Sequence, residues 1–223
     1  MLSGDSAKVR AYAGLSNAEV CVLFPFGWDK RIVRCMTTNT SQRTLHTPRL
    51  TLRPYVLTDA LDLQRLAGAR EIADTTKRIP HPYPDGAAET WIAMQADAWF
   101  AQTSASFAIV DRTSNQYMGG IGLSIVSATV SAELGYWLGV PYWGRGYCTE
   151  AARAILTFAF DELKLHRIAA NYLTRNPASG RVMEKLGMQF EGVQRDGSFK
   201  WGKFEDIAIC AILEAEWAHV WTA

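Results

Sequence analysis

From Leu45 onward the apolar and polar positions alternate between a period of two and a helical period. "RLTLRPY" (49–55) has period two and predicts a strand. "TDALDLQRLAG" (58–68) predicts a helix with Thr58 as N-cap and Gly68 as its stop. "PHPYPDG" (80–86) is proline-rich, which excludes a helix or a central strand. "AAETWIAMQADAWFAQ" (87–102) returns to helical spacing, with Trp91, Met94 or Gln95, and Ala98 or Trp99 on one side. "SFAIVD" (106–111), a polar "RTSN" turn and "QYMGGIGLSIV" (116–126) predict a β-hairpin, and "AELGYWLGV" (132–140) a further strand. A helix over 147–163, a strand over 166–173 and a helix over 177–187 follow, the last ending at Gly187. "MQFEGVQRD" and "KFEDIAICAIL" predict a closing hairpin. Strands and helices in this order predict an α/β or α+β sheet domain.

Residues 1–45 show neither period and carry a net charge of +3, against −2 for the remainder. "TTNTSQRT" (37–44) is a polar linker by composition, and Met36 opens it as an alternative start of translation. The expected organisation is a poorly ordered, non-catalytic extension over 1–45 and one domain over 46–223. The net charge of the whole chain, +1, predicts no bulk attraction to nucleic acid or to an anionic membrane. No apolar run approaches the roughly 18 residues of a spanning helix, and the N-terminus lacks the pattern of a signal peptide. Cys21, Cys35, Cys148 and Cys210 are scattered, without zinc spacing. Reduced thiols, a cytoplasmic location and no metal are the expectation.

"YWGRGYCTE" (142–150) carries the most specific chemistry. Gly144 and Gly146 lie between a predicted strand and a predicted helix. A helix N-terminus leaves N–H groups unpaired and carries partial positive charge, so it suits a phosphate. Glycines let the backbone approach such a ligand closely. A lone GxG reads first as a tight strand-to-helix turn without a ligand; its place after a strand and at the opening of a long helix favours phosphate capture. The stretch is neither a Walker loop nor the dinucleotide GxGxxG, since Thr149 takes the third glycine's place.

The run from Glu133 to Gly192, "ELGYWLGVPYWGRGYCTEAARAILTFAFDELKLHRIAANYLTRNPASGRVMEKLGMQFEG", resembles the core of a GNAT-superfamily N-acetyltransferase of the RimJ/RimL branch. "TPRLTLRPYVLTDALDLQRL" is similar to that branch's opening, and the resemblance extends over about 46–217. It implies a mixed, mostly antiparallel sheet of six to seven strands with flanking helices, splayed at the fourth and fifth strands. The family signature Gln/Arg-x-x-Gly-x-Gly/Ala falls on Trp143 to Cys148, with Trp143 and Cys148 as departures.

By that resemblance Gly144, Arg145, Gly146, Tyr147, Cys148 and Thr149 hold the pyrophosphate of acetyl-CoA, and Leu138 and Val140 offer main-chain groups to its pantetheine arm. A backbone N–H near Tyr136–Leu138 would polarise the thioester carbonyl. Asn176 would contact the coenzyme as well as cap a helix, with Pro177 at the first helical position. Glu133 is the candidate general base, or a solvated carboxylate at a strand end. Ser179 is the candidate proton donor to the thiolate, or a hydrogen-bond partner, with Tyr172 and Tyr147 as rivals. Gly135 and Gly139 mark either close ligand approach or edge irregularity. His81 and His166 read as structural or solvent-exposed.

The implied activity is direct acetyl transfer from acetyl-CoA to a primary amine, foremost a protein or peptide N-terminal α-amine. The implied protein is a monomer or homodimer, with no direct nucleic-acid or membrane partner. The alternatives are a small-molecule amine or aminoglycoside acetyltransferase, and a catalytically silent acyl-CoA-binding module.

Overall fold

The computed structural model describes residues 41–220; the extension expected over 1–45 lies almost wholly outside them. Strands β1 (Leu45–His46) and β2 (Leu50–Arg53) open the domain. Helices α1 (Ala60–Ala67), α2 (Arg70–Thr75) and α3 (Ala87–Phe100) follow. Next come β3 (Ser104–Asp111), β4 (Tyr117–Val126) and β5 (Ser131–Leu138). The chain continues with α4 (Tyr147–Asp161), β6 (Arg167–Leu173) and α5 (Pro177–Lys185). It closes with β7 (Gln189–Lys200), β8 (Lys203–Leu213) and α6 (Glu214–Val220).

The strands form one eight-stranded sheet in the order β1-β2-β3-β4-β5-β6-β8-β7. Six to seven strands were expected; the two-residue β1, pairing Leu45 with Leu52, adds an edge too short to carry a period. Two short helices also escape the periodic reading. α2 has six residues, and α6 continues the apolar run of β8 without a Gly or Pro to mark the change. Thr58 is not the cap of the first helix. Asp59 stands at that position without capping α1 by its side chain; its carboxylate instead accepts the Val56 N–H at 3.0 Å and both Arg53 guanidinium nitrogens at 2.7 and 2.6 Å.

Alternation along the strands divides the core between the two faces. On one face Ala108, Val110 and Tyr117 pack beneath Leu63, Leu66 and Ala67 of α1 and Ala88 and Ile92 of α3. On the other, Phe107 meets Phe158 of α4 edge-on at 5.7 Å. The side of α4 that faces the sheet is apolar (Ala151, Ala152, Ile155, Leu156, Ala159) and fully buried. The glycine loop at its N-terminus is thereby fixed relative to the sheet.

All neighbouring strands run antiparallel except β5 and β6. That parallel pair extends only from Ser131↔Arg167 to Leu134↔Ala170. Beyond it β5 follows β4 as far as Leu138, while β6 follows β8 as far as Leu173. The two strands therefore splay at the fourth and fifth strands counted from β2.

Candidate active site

The splay opens into a cleft of about 830 Å³. Gly135 faces it with open space: a Cβ built there meets nothing within 4 Å. Gly139 has neither explanation: a Cβ there would meet Leu66 of α1 at 2.8 Å, so close packing requires the glycine. β5 ends at Leu138, and Val140 already begins a 3₁₀ turn through Tyr142. Val140 therefore presents no extended backbone and does not line the cleft; Pro141, which cannot donate to a ladder, follows it. Leu138 does line the cleft, but its carbonyl accepts the Trp143 indole N–H at 2.6 Å. Trp143, the departure at the head of the signature, thus ties the glycine loop back to β5.

Gly144 and Gly146 hold φ of 74° and 78°, the left-handed region that disfavours side chains. Gly146 is the N-cap of α4, so the first N–H groups of that helix have no intrahelical acceptor. Gly144, Gly146, Tyr147, Cys148 and Thr149 line the cleft. Arg145 does not; its carbonyl instead accepts the Arg49 guanidinium at 3.1 Å.

Arg49 anchors the whole turn. Its Nε pairs with Glu150 Oε2 at 2.7 Å and its backbone N–H donates to Glu150 Oε1 at 2.9 Å. Its guanidinium lies 4.4 Å over the Tyr147 ring. Thr47 Oγ1 adds a 2.6 Å hydrogen bond to Glu150 Oε1. Burial pushes the Glu150 carboxyl up, but the hydrogen bonds from Thr47 and Arg49 outweigh it and hold the group below its usual range. The sequence gives no local sign of this clamp, whose members lie about a hundred positions apart.

Residues of α5 form one lip of the cleft. Ser179 Oγ lies 2.8 Å from the Tyr136 hydroxyl, which also donates to the Ser179 carbonyl at 3.1 Å. Burial raises the Tyr136 phenol far above its ordinary value, against a smaller lowering by Ser179. Its hydroxyl is therefore protonated at neutral pH. Tyr136, rather than Tyr172 or Tyr147, is the hydroxyl paired with Ser179. Strand alternation carries the signal that finds it, because Tyr136 faces away from Glu133 and Gly135, toward α5. Asn176 lines the cleft at the N-cap position of α5 without capping by its side chain, whose Nδ2 is directed to the Thr75 carbonyl at 3.4 Å. Burial pushes the Cys148 thiol up to about 12, so it is a poor nucleophile at neutral pH.

Glu133 lies at the other end, 3.7 Å from Lys77 Nζ and 3.5 Å from an Arg78 guanidinium nitrogen. The segment carrying these cations is held from the β7–β8 turn. Lys200 Nζ donates to the carbonyls of Ala73 and Thr76, and to Ile79 O at 3.3 Å. Burial pushes that ammonium below its usual value. The cleft is lined by four cationic side chains, Lys77, Arg78, Arg181 and Lys185, and one carboxylate, Glu133. His81 bonds the Gly68 carbonyl at 2.9 Å and does not line it. Among the described residues no cluster of three His, Cys, Asp or Glu could hold a metal, and no helix is long and apolar enough to cross a membrane.

The family model of the acetyltransferase (GNAT) domain matches residues 49–189. The chain belongs to the GNAT acetyltransferase family. A relative, the uncharacterized N-acetyltransferase p20 of Bacillus licheniformis, is 30% identical over 177 residues, 78% of this chain and 98% of that protein. The ribosomal protein uS5 alanine N-acetyltransferase of Escherichia coli is 30% identical over 142 residues, 61% of this chain and 71% of that one. Among solved structures, a GNAT acetyltransferase from Bacillus anthracis superposes with a TM-score of 0.70 at 25% identity, covering 78% of this chain and all of the other. The fold and the acetyl-transferring activity expected from the RimJ/RimL-like stretch are those of this family. The chain is an acetyl-transferring enzyme of this family.

Proposed function

We propose that the chain moves an acetyl group from acetyl-CoA directly to the α-amine of a peptide or protein N-terminus. The observation that carries this reading is one continuous cleft through the β5–β6 splay, with the glycine loop at one end and Glu133 at the other. Acetyl-CoA supplies a thioester-activated acetyl group. The free N–H groups at the start of α4 hold its pyrophosphate, and β5 beyond Leu134, freed from β6, receives the pantetheine arm. Glu133 takes the proton of the incoming ammonium, directly or through a water. A backbone N–H near Tyr136–Leu138 polarises the carbonyl. Tyr136, oriented by Ser179, holds the proton that the departing sulfur needs. Burial that keeps the Cys148 thiol protonated disfavours it as a covalent acetyl carrier, which supports direct transfer. Free thiols at Cys148 and Cys210 fit a cytoplasmic enzyme.

The wall charge bears on the acceptor. A polyamine or aminoglycoside carries several positive charges, and one carboxylate among four cations gives it little to pair with. The test is thiol release from acetyl-CoA with short peptides bearing free α-amines, a polyamine and an aminoglycoside. Release with peptides supports the reading; release with the polyamine or aminoglycoside alone replaces it with a small-amine activity. Glu133→Gln should lower kcat/KM at least about tenfold. A loss under about twofold removes Glu133 as the base.

A further inference from the structure

The acceptor half of the cleft has an unusual floor. Register places three rows across β3, β4 and β5 on the face beneath α1 and α3. The first is Ser104, Ser124 and Glu133; the second is Ser106, Gly122 and Gly135; the third is Ala108, Gly120 and Trp137. Partners in register share a face, so the first two rows present only small side chains besides Glu133. The positions between the three rows that point to the opposite face include Phe107, Ile121, Leu123 and Leu134, which are large and buried.

Aromatic rings stand around this bare floor. Tyr55, Tyr83, Trp91 and Trp137 line the cleft and pack against the α1–α3 core. Tyr55 meets Trp91 edge-to-face at 4.8 Å and 89°. The Tyr55 hydroxyl reaches so far over Gly120 that a Cβ there would come within 2.1 Å of it. Core packing fixes these rings, so the chamber is formed before any ligand enters. Edge-to-face and offset contacts with a further ring are the interactions such walls favour.

The floor also sets a distance. Rows two residues apart on a strand are about 7 Å apart. An α-amine beside Glu133 in the first row therefore places its own side chain over the second row, against the rings of Tyr55 and Trp137 that cover the third. We propose that this chamber receives an aromatic side chain borne next to the reacting amine. The preferred acceptors are then α-amines of the phenylalanine and tryptophan type, at a peptide N-terminus or in the free amino acid. The inference rests on the N-acetyltransferase reading above.

The experiment is initial-rate thiol release by the full-length protein with tripeptides X-Gly-Gly, where X is Phe, Trp, Ala, Ser or Lys, and with free phenylalanine. Phe and Trp peptides should exceed Ala and Ser peptides in kcat/KM by about tenfold or more. Comparing the Phe peptide with free phenylalanine distinguishes the two sources of the same chemistry. Equal or better turnover of Ala or Ser peptides overturns the chamber and leaves α-amine acetylation standing. No release from any acceptor overturns both. Ser106→Leu raises the floor, and its Phe-to-Ala ratio should fall toward one; a ratio kept at the wild-type value overturns the assignment.

Discussion

Replacing Arg49 with methionine tests whether the glycine loop is held in its binding shape from the far side of the sheet. The substitution keeps the aliphatic stem and removes three contacts. The pair with Glu150 is half-exposed on the arginine side, 47% against 16%, so it contributes about 0.2–1 kcal/mol. The charge-assisted bond to the Arg145 carbonyl contributes about 1.5 kcal/mol at this exposure. The stacking on Tyr147 contributes about 0.5–1 kcal/mol. Three contacts from one side chain are not additive, and about 2 kcal/mol is the expected total. Glu150 keeps Thr47 and the residue-49 backbone N–H, so no carboxylate is left bare and the fold survives. To the extent that the loop frays in the free protein, coenzyme binding must restore its order. Titration calorimetry should then show acetyl-CoA binding weakened by up to about 30-fold. Thermal unfolding should fall by about 4–8 °C. A melting temperature lowered by that amount with a Kd changed less than about twofold would refute the reasoning, because the clamp would then hold the fold and not the loop.

Three further outcomes follow from the same geometry. Tyr136→Phe should lower kcat by about 100-fold with little change in acetyl-CoA affinity, measured by steady-state kinetics and calorimetry; an unchanged kcat removes Tyr136 as the proton source. Glu150 has a folded pKa below its ordinary 4.5, so it adds stability above that value and loses it as pH falls through the folded pKa. Wild type should therefore lose more melting temperature between about pH 5 and pH 3 than Glu150→Gln does, and parallel curves count against the clamp. A fragment spanning 41–223 keeps the Gln42 bond to the Ser106 carbonyl and the Arg43–Glu162 pair, and should retain wild-type turnover; inactivity of that folded fragment would show that residues 1–40 take part.

What could be read before folding is what local backbone chemistry dictates. Two glycines between a strand and a helix are legible because only such residues hold φ near 75° without strain. Glu133 and Gly135 are legible through alternation, which puts both on one side of β5. The same alternation already separates Tyr136 from them, yet its partner Ser179 is 43 residues away and only packing joins the two. Arg49 with Glu150, and Lys200 with the carbonyls of 73–79, are long-range pairings of surface-type residues. Sequence alone presents them as solvated charges. Gly139 and Pro141 flank Val140 and both disfavour a strand that continues past Leu138, so the 3₁₀ turn there is legible locally.

The location of the cleft follows from the one parallel pair in an otherwise antiparallel sheet. Parallel neighbours need a crossover, and here α4 supplies it between β5 and β6. α4 therefore begins where β5 ends, and α5 begins where β6 ends, so both helix N-termini open at the same edge of the sheet. Ligands in α/β sheets bind at the carboxyl ends of parallel strands for this reason. The splay then adds what a continuous sheet would withhold, a passage between the two faces. Tyr136 and the glycine loop lie on one side of that passage, and Glu133 with the serine floor on the other. On the proposed mechanism, a donor and an acceptor approach one carbonyl from opposite faces of the sheet. That arrangement requires β5 to lose its β6 ladder beyond Leu134, so a substitution that extended the ladder would close the passage even if every site residue were intact.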